Sequence, residues 1–208
     1  MRAATGVLSD AGAELVELEI PELEESLGAS AVIAASEGLD VHHERLSAGA
    51  EGYGEPVLLR LRAAYAFTGL DLARAQRVRR TLVAAYERAF RTVDCMVGPT
   101  LPGLPARRGS PTMRVGTREE GIVDASCRLV APQNMTGVPA ASLPCGFSAE
   151  GLPIGLQIWA AAGADTTVLT VARRYQERTE WHRRRPRLAH EPASSDSAAT
   201  AGSPRPSA

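Results

Sequence analysis

The 208-residue sequence has no lysine: the 23 residues counted as Lys plus Arg are all arginine. That absence excludes several chemistries at once. No P-loop lysine can hold a nucleotide phosphate, and no lysine can form a Schiff base with pyridoxal phosphate or an aldehyde. A serine–lysine hydrolase cannot be complete within this chain. Arginine is no replacement as a base, because it stays protonated at any relevant pH.

Cysteine is scarce as well. Cys95, Cys127 and Cys145 are the only three, and none lies in a C-x-x-C. They do not make a disulfide framework and read as free thiols of a reducing compartment, so a cytoplasmic location is expected. The four histidines form no H-x-x-x-H or H-E-x-x-H, and adjacent His42 and His43 project about 100° apart on a helix. No metal and no cofactor are expected. The formal net charge of −1 lacks the basicity of a phosphate-binding surface, so no nucleic-acid partner is expected. No stretch reaches the roughly 18 uncharged apolar residues of a membrane span. The opening MRAATGVLSDAGAELVELEI has one arginine, acids and no apolar core, unlike a signal peptide.

What is present reads as one domain with alternating helices and strands, an α/β class. Residues Ala3 to Gly12 read as the end of a helix. Val16, Leu18 and Ile20 alternate with Glu17 and Glu19, the period-2 pattern of a half-buried strand over Glu14–Ile20. Leu23 to Leu46 reads as helical with a weak point near Gly38, and Val57 to Phe67 as a further helical stretch. Asp71 is the expected N-cap of a long helix carrying Leu72, Ala75, Val78, Leu82, Tyr86, Ala89 and Phe90 at three-to-four spacing. Val93–Val97 reads as a buried strand, residues 98–118 as an irregular loop, and Glu119 to Val130 as a short helix. Two strands, Pro139–Cys145 and Pro153–Trp159, are joined by a hairpin-like turn. Pro144 and Pro153 point to strand ends or an edge, and Gly155 to a close backbone approach. A last helix begins at Asp165 with Val168, Leu169, Ala172 and Tyr175 facing inward. From His182 onward little can be buried, so residues 182–208 are expected to be a disordered tail after a domain of residues 1–181.

One segment is specific. Asn134-Met-Thr-Gly-Val-Pro-Ala-Ala-Ser-Leu-Pro-Cys-Gly-Phe147, followed by Gly151-Leu-Pro-Ile-Gly-Leu-Gln-Ile158, resembles the C-terminal signature of the amidase signature family. Gly12 to Leu18, Tyr53-Gly54, Asp94 and Pro99-Thr100-Leu-Pro102 match in the same order. The resemblance implies the C-terminal part of an α/β/α sandwich with a mixed sheet. It also implies hydrolysis of a carboxamide through an acyl-enzyme formed by a serine, a bridging serine and a lysine base. Neither that lysine nor its Gly/Ser-rich segment occurs in this sequence. The chain is therefore expected to be the C-terminal half of an amidase, inactive alone. A small amide would be the substrate of the complete enzyme, and a separate N-terminal half is a possible partner. A non-catalytic partner protein, a truncated remnant or a fragment resembling the A subunit of glutamyl-tRNA amidotransferase are the alternatives. Arg128-Leu-Val-Ala-Pro-Gln133 lacks the acid expected of such an amidotransferase, which favours a plain amidase.

No residue of this chain is expected to be catalytic. Asn134, Thr136 and Gly137 are implied to line the substrate pocket, with a purely turn-building role as the alternative. Thr100 stands at a strand end, where α/β proteins bind ligands. Residues 101–118 read equally as a substrate lid or a surface connection. Cys145 has no evident base beside it and Ser142 no G-x-S-x-G context, so both read as structural. Arg183, Arg184, Arg185 and Arg187 read as a solvated basic linker, with contact to an anionic surface as the alternative.

Overall fold

The computed structural model describes residues 1–186. The expected tail lies, from Arg187 on, outside the described residues. Helix α1 (Arg2–Asp10) ends where Gly12 takes a φ of +95°, a left-handed turn that glycine enters without steric cost. The strand expected over Glu14–Ile20 is not formed. Residues 13–20 carry no strand pairing, and Leu15, Val16 and Leu18 stand 51%, 55% and 36% exposed. The alternation is real, but among the described residues no neighbouring strand accepts the backbone and no layer covers the apolar face.

A 3-10 turn at Pro21–Leu23 leads into α2 (Ser26–Ser47), which runs through Gly38 without a break. Gly38 faces the Leu61 side chain of α3 (Glu55–Ala63), so its small size serves packing rather than a kink. Helix α4 (Gly69–Ala89) starts two residues before the expected cap. Its N-cap is Thr68, whose hydroxyl accepts from the Asp71 N–H, while the Asp71 carboxylate accepts from the Thr68 N–H at 2.9 Å. Asp71 is thus the third residue of the helix, closing a capping box, and not the cap itself.

Strand β1 (Cys95–Pro99) is followed by an unexpected hairpin: β2 (Thr112–Val115), inside the expected irregular loop, pairs across a Gly116-Thr117 turn with β3 (Arg118–Gly121), which takes the start of the helix expected from Glu119. Arg118-Glu119-Glu120 offers no apolar alternation, and in β2 only Met113 is buried, so the hairpin left no hydrophobic trace. Short helices α5 (Ile122–Cys127) and α6 (Ala131–Thr136) lead to β4 (Ala140–Phe147) and β5 (Pro153–Ala160), and α7 (Asp165–Gln176) closes the fold. Asp165 is the first residue of α7 and its side chain makes no capping bond. Leu169 is 65% exposed, because it sits about 100° around the helix from buried Val168.

The main sheet has the order β1-β5-β4, and both pairings are antiparallel. β4 is an edge strand with Pro144 in it and a bulge between Pro144 and Gly146. The period-2 alternation of β5 divides the core in two. Leu156, Ile158 and Ala160 face α1 and α7, joining Leu8, Val168 and Tyr175. Trp159 and, from β1, Met96 face α2, α4 and α6, joining Ile33, Leu82, Tyr86 and Met135. Helices thus cover both faces of the sheet. Leu82, Leu156 and Ile158 are fully buried, each stabilising the fold by roughly 1.5–3 kcal/mol.

Candidate functional site

The Gly98-Pro99 end of β1 sends the chain out of the sheet beside the start of β5. There the Thr100 N–H donates to the Gly155 carbonyl at 3.0 Å, which fixes the Thr100 side chain against β5. Its hydroxyl lies 2.6 Å from the Ser142 hydroxyl of β4. The two oxygens occupy the space over Gly155, where a Cβ would stand 2.6 Å from Thr100 Oγ1 and 3.1 Å from Ser142 Oγ. Gly155 does permit a close approach, but of two side-chain hydroxyls in addition to backbone. Only a residue without Cβ lets the hydroxyls meet.

This pair floors an open cleft of about 900 Å³ at the end of the sheet. One wall is the loop Leu101–Pro105, another the β4–β5 hairpin with Pro144, Phe147 and Ile154, and a third the segment Trp181–Pro186. The 3-10 turn Trp181–Arg183 places Trp181 against Phe147, ring centroids 6.1 Å apart. The Arg184 guanidinium lies 4.9 Å from the Phe147 ring centre and 5.2 Å from that of Trp181.

Asn134, Thr136 and Gly137 lie elsewhere. Asn134 and Gly137 border a separate, shallower cleft of about 320 Å³ with Pro139 and Asp165. Gly137 ends α6 in the left-handed region, φ +73°, and donates its N–H to the Gln133 carbonyl. The Thr136 hydroxyl donates back to the Pro132 carbonyl at 2.8 Å within its own helix. The Asn134 side chain is exposed, with no hydrogen bond among the described residues. Buried Gln157 of β5 donates to the Leu129 carbonyl at 2.9 Å and ties the α5–α6 connection to the sheet. Among the described residues, then, Thr100 and the Asn134–Gly137 turn do not share a pocket.

Ser142 was missed as a partner of Thr100, because the two are far apart in sequence and Ser142 has no G-x-S-x-G context that would single it out within its segment. The arginines after Trp181 were also missed as cleft residues; the aromatic residue before the basic run was the available sign. Residues 101–105 form a wall of the cleft, and Gly103 lies so close to β2 that a Cβ there would collide with the Arg114 carbonyl. Cys145 is half-buried and unpaired, and burial pushes its thiol up from the ordinary range, the opposite of an activated nucleophile. His42 Nδ1 is 2.8 Å from the Tyr53 hydroxyl and His43 Nδ1 is 3.2 Å from that of Tyr65. Each histidine has its own aromatic partner, and no group of metal-ligand side chains forms among the described residues. No helix among them is long and apolar enough to cross a membrane.

A three-layered α/β sandwich with a hydroxyl-floored cleft at the end of its sheet is therefore the class of protein these residues build. The chain belongs to the amidase family, which it matches over residues 1–169. It is 34% identical to an amidase of Pseudomonas putida, over 90% of this chain and 40% of that one. It is 35% identical to a glutamyl-tRNA(Gln) amidotransferase polypeptide of Synechococcus sp. (strain JA-3-3Ab), over 92% of this chain and 41% of that protein. A crystal structure of an amidase superposes with a TM-score of 0.75 at 30% identity, covering 85% of this chain and 41% of that one. The chain thus spans about two fifths of the length of the relatives it matches.

Proposed function

We propose that this chain is the C-terminal portion of an amidase-family hydrolase that cleaves the carbon–nitrogen bond of a small carboxamide. The catalytic serines and lysine would come from polypeptide outside these 208 residues. The observation that carries the reading is the Thr100–Ser142 hydroxyl pair at the floor of the cleft. Two hydroxyls can both donate and accept, which suits the N–H and C=O of an amide. In this role Thr100 and Ser142 bind and orient; they do not attack. An attacking serine needs a base within reach, and the described residues put none beside Ser142.

Two further features support the reading. The sequence has no lysine to act as the family's base. Residues 13–20 keep a strand pattern with no partner strand among the described residues, as an element would whose neighbours lie on another segment. Asn134 and Gly137 then border a second cleft beside Asp165 and not the one over Thr100, and the Thr136 hydroxyl, used inside α6, serves structure. A plain amidase is preferred to a tRNA amidotransferase because the run before Asn134 carries no acid. Three unpaired cysteines fit a cytoplasmic setting.

The test measures ammonia release from small carboxamides by the purified chain, alone and co-expressed with a Gly/Ser-rich, lysine-containing polypeptide of the family. Activity only in the pair is expected. Labelling of the chain alone by a fluorophosphonate, lost on mutating one serine, would overturn the assignment of catalysis to another segment.

A further inference from the structure

The wall opposite the hydroxyl pair has a chemistry that amide binding does not require. Arg184 and Arg185 both line the cleft, and among its described lining residues there is no aspartate or glutamate. Neither arginine makes an ion pair among the described residues, whereas neighbouring Arg183 pairs with Glu180 at 2.8 Å and does not line the cleft. Arg184 is held over two aromatic rings, 4.9 Å and 5.2 Å from their centres. The two rings hold the Arg184 guanidinium by cation–π attraction, and the guanidinium fork matches a planar bidentate acceptor. Arg185 gives one N–H to the His182 carbonyl at 3.2 Å, which anchors it beside Arg184. Apart from these two arginines, His182 and the hydroxyl pair, the side chains of the cleft are apolar: Leu101, Leu104, Pro144, Phe147, Ile154 and Trp181 among them.

We infer that this cleft binds a small molecule with an apolar body and a carboxylate, the carboxylate on Arg184 and Arg185. Two cations with no compensating acid among the described lining residues select an anion. The planar fork selects a carboxylate over a spherical ion. The apolar wall disfavours a ligand that is polar throughout, such as inorganic phosphate, because such a ligand would give up its hydration without replacement. The binding claim stands on the cleft itself and not on the amidase reading.

Isothermal titration calorimetry of the purified chain with three ligands of equal length tests it: hexanoate, hexanamide and hexylammonium. Hexanoate is expected to bind saturably and at least ten-fold more tightly than the other two. R184Q and R185Q are each expected to weaken hexanoate at least five-fold and to leave hexanamide unchanged, while R183Q changes neither. Equal affinities for hexanoate and hexanamide overturn the inference, as does the absence of saturable hexanoate binding. Hexanoate affinity unchanged in the R184Q/R185Q double variant overturns it too, and this outcome requires no change in fold. Ammonia release is not read here, so failure of the carboxylate site leaves the amidase reading standing, and the reverse also holds.

Discussion

The Thr100 hydroxyl, just past β1, and the Ser142 hydroxyl of β4 meet at 2.6 Å across the one position of β5 that has no side chain. Their bond bridges the two outer strands over the middle one. Gly155→Ala would place a methyl group 2.6 Å from Thr100 Oγ1, where something must shift. Overpacking of this kind costs about 1–3 kcal/mol. Ser142→Ala only removes a hydrogen bond between exposed groups, worth about 0.5–1.5 kcal/mol. Urea unfolding of both variants is expected to rank G155A as the more damaging; the reverse order would mean that the pair does not sit over Gly155.

The Thr68–Asp71 box sets the start of α4. Thr68→Ala is expected to cost about 1 kcal/mol, and Thr68→Ser much less, in thermal or urea unfolding. Hydrogen bonds from the Thr68 side chain and backbone hold the Asp71 carboxyl below its ordinary range. A group whose folded pKa is depressed stabilises at pH values above its unfolded pKa and loses that contribution as pH falls through the folded one. The difference between wild type and Thr68→Ala should therefore be full at pH 7 and shrink below about pH 4. A difference that grew on acidification would contradict the box.

Burial raises the thiols of Cys95 and Cys145. Both are expected to react slowly with a disulfide reagent at pH 7, at rates that climb with pH past the ordinary thiol range. Cys145→Ala should leave the activity of the reconstituted enzyme intact. Fast modification of Cys145 at neutral pH, seen by peptide mass mapping, would reopen the nucleophile question.

Core position decides the cost of truncation in the helices. Leu82 is fully buried and Leu169 is 65% exposed. Leu82→Ala is expected to cost about 2–5 kcal/mol. Leu169→Ala should fall within about 0.5 kcal/mol of wild type in the same unfolding assay.

Exposed Val16 and Leu18 form an apolar row on a segment whose backbone lacks strand partners among the described residues. Such a row associates with whatever pairs with it. Sedimentation of the purified chain should show concentration-dependent association that Val16→Lys reduces. Association that Val16→Lys leaves unchanged would place the contact elsewhere.

Most of the fold was legible where burial imposes a period. The face of α4, the alternation of β5 and the edge position implied by Pro144 all follow from residues that have one side in a core. The failures share a cause. In β3 the pairing is backbone to backbone and the side chains are mostly solvated, so periodicity was silent. At Glu14–Ile20 periodicity was present and the pairing absent, because a sequence pattern records the face an element offers and not whether a neighbour is at hand. At α4 the choice between Thr68 and Asp71 was one of register between two good capping residues. In the site, Thr100 was legible from its place after β1, while Ser142 was hidden because its importance comes from a tertiary contact over a glycine.

The bulge beside Pro144 on β4 makes the two edges of the sheet unequal, because β1 at the other edge pairs without one. Proline has no N–H to offer a further strand, and the bulge throws the ladder out of step just beyond it. β1, the other edge, ends in Pro99 but runs without a bulge, so a polypeptide that enlarges this sheet meets the more regular ladder beside β1, next to the strand that leads to Thr100 and the cleft. Enlarging the sheet and walling the cleft would then be one event, so an added segment could not complete the architecture while leaving the pocket as it was.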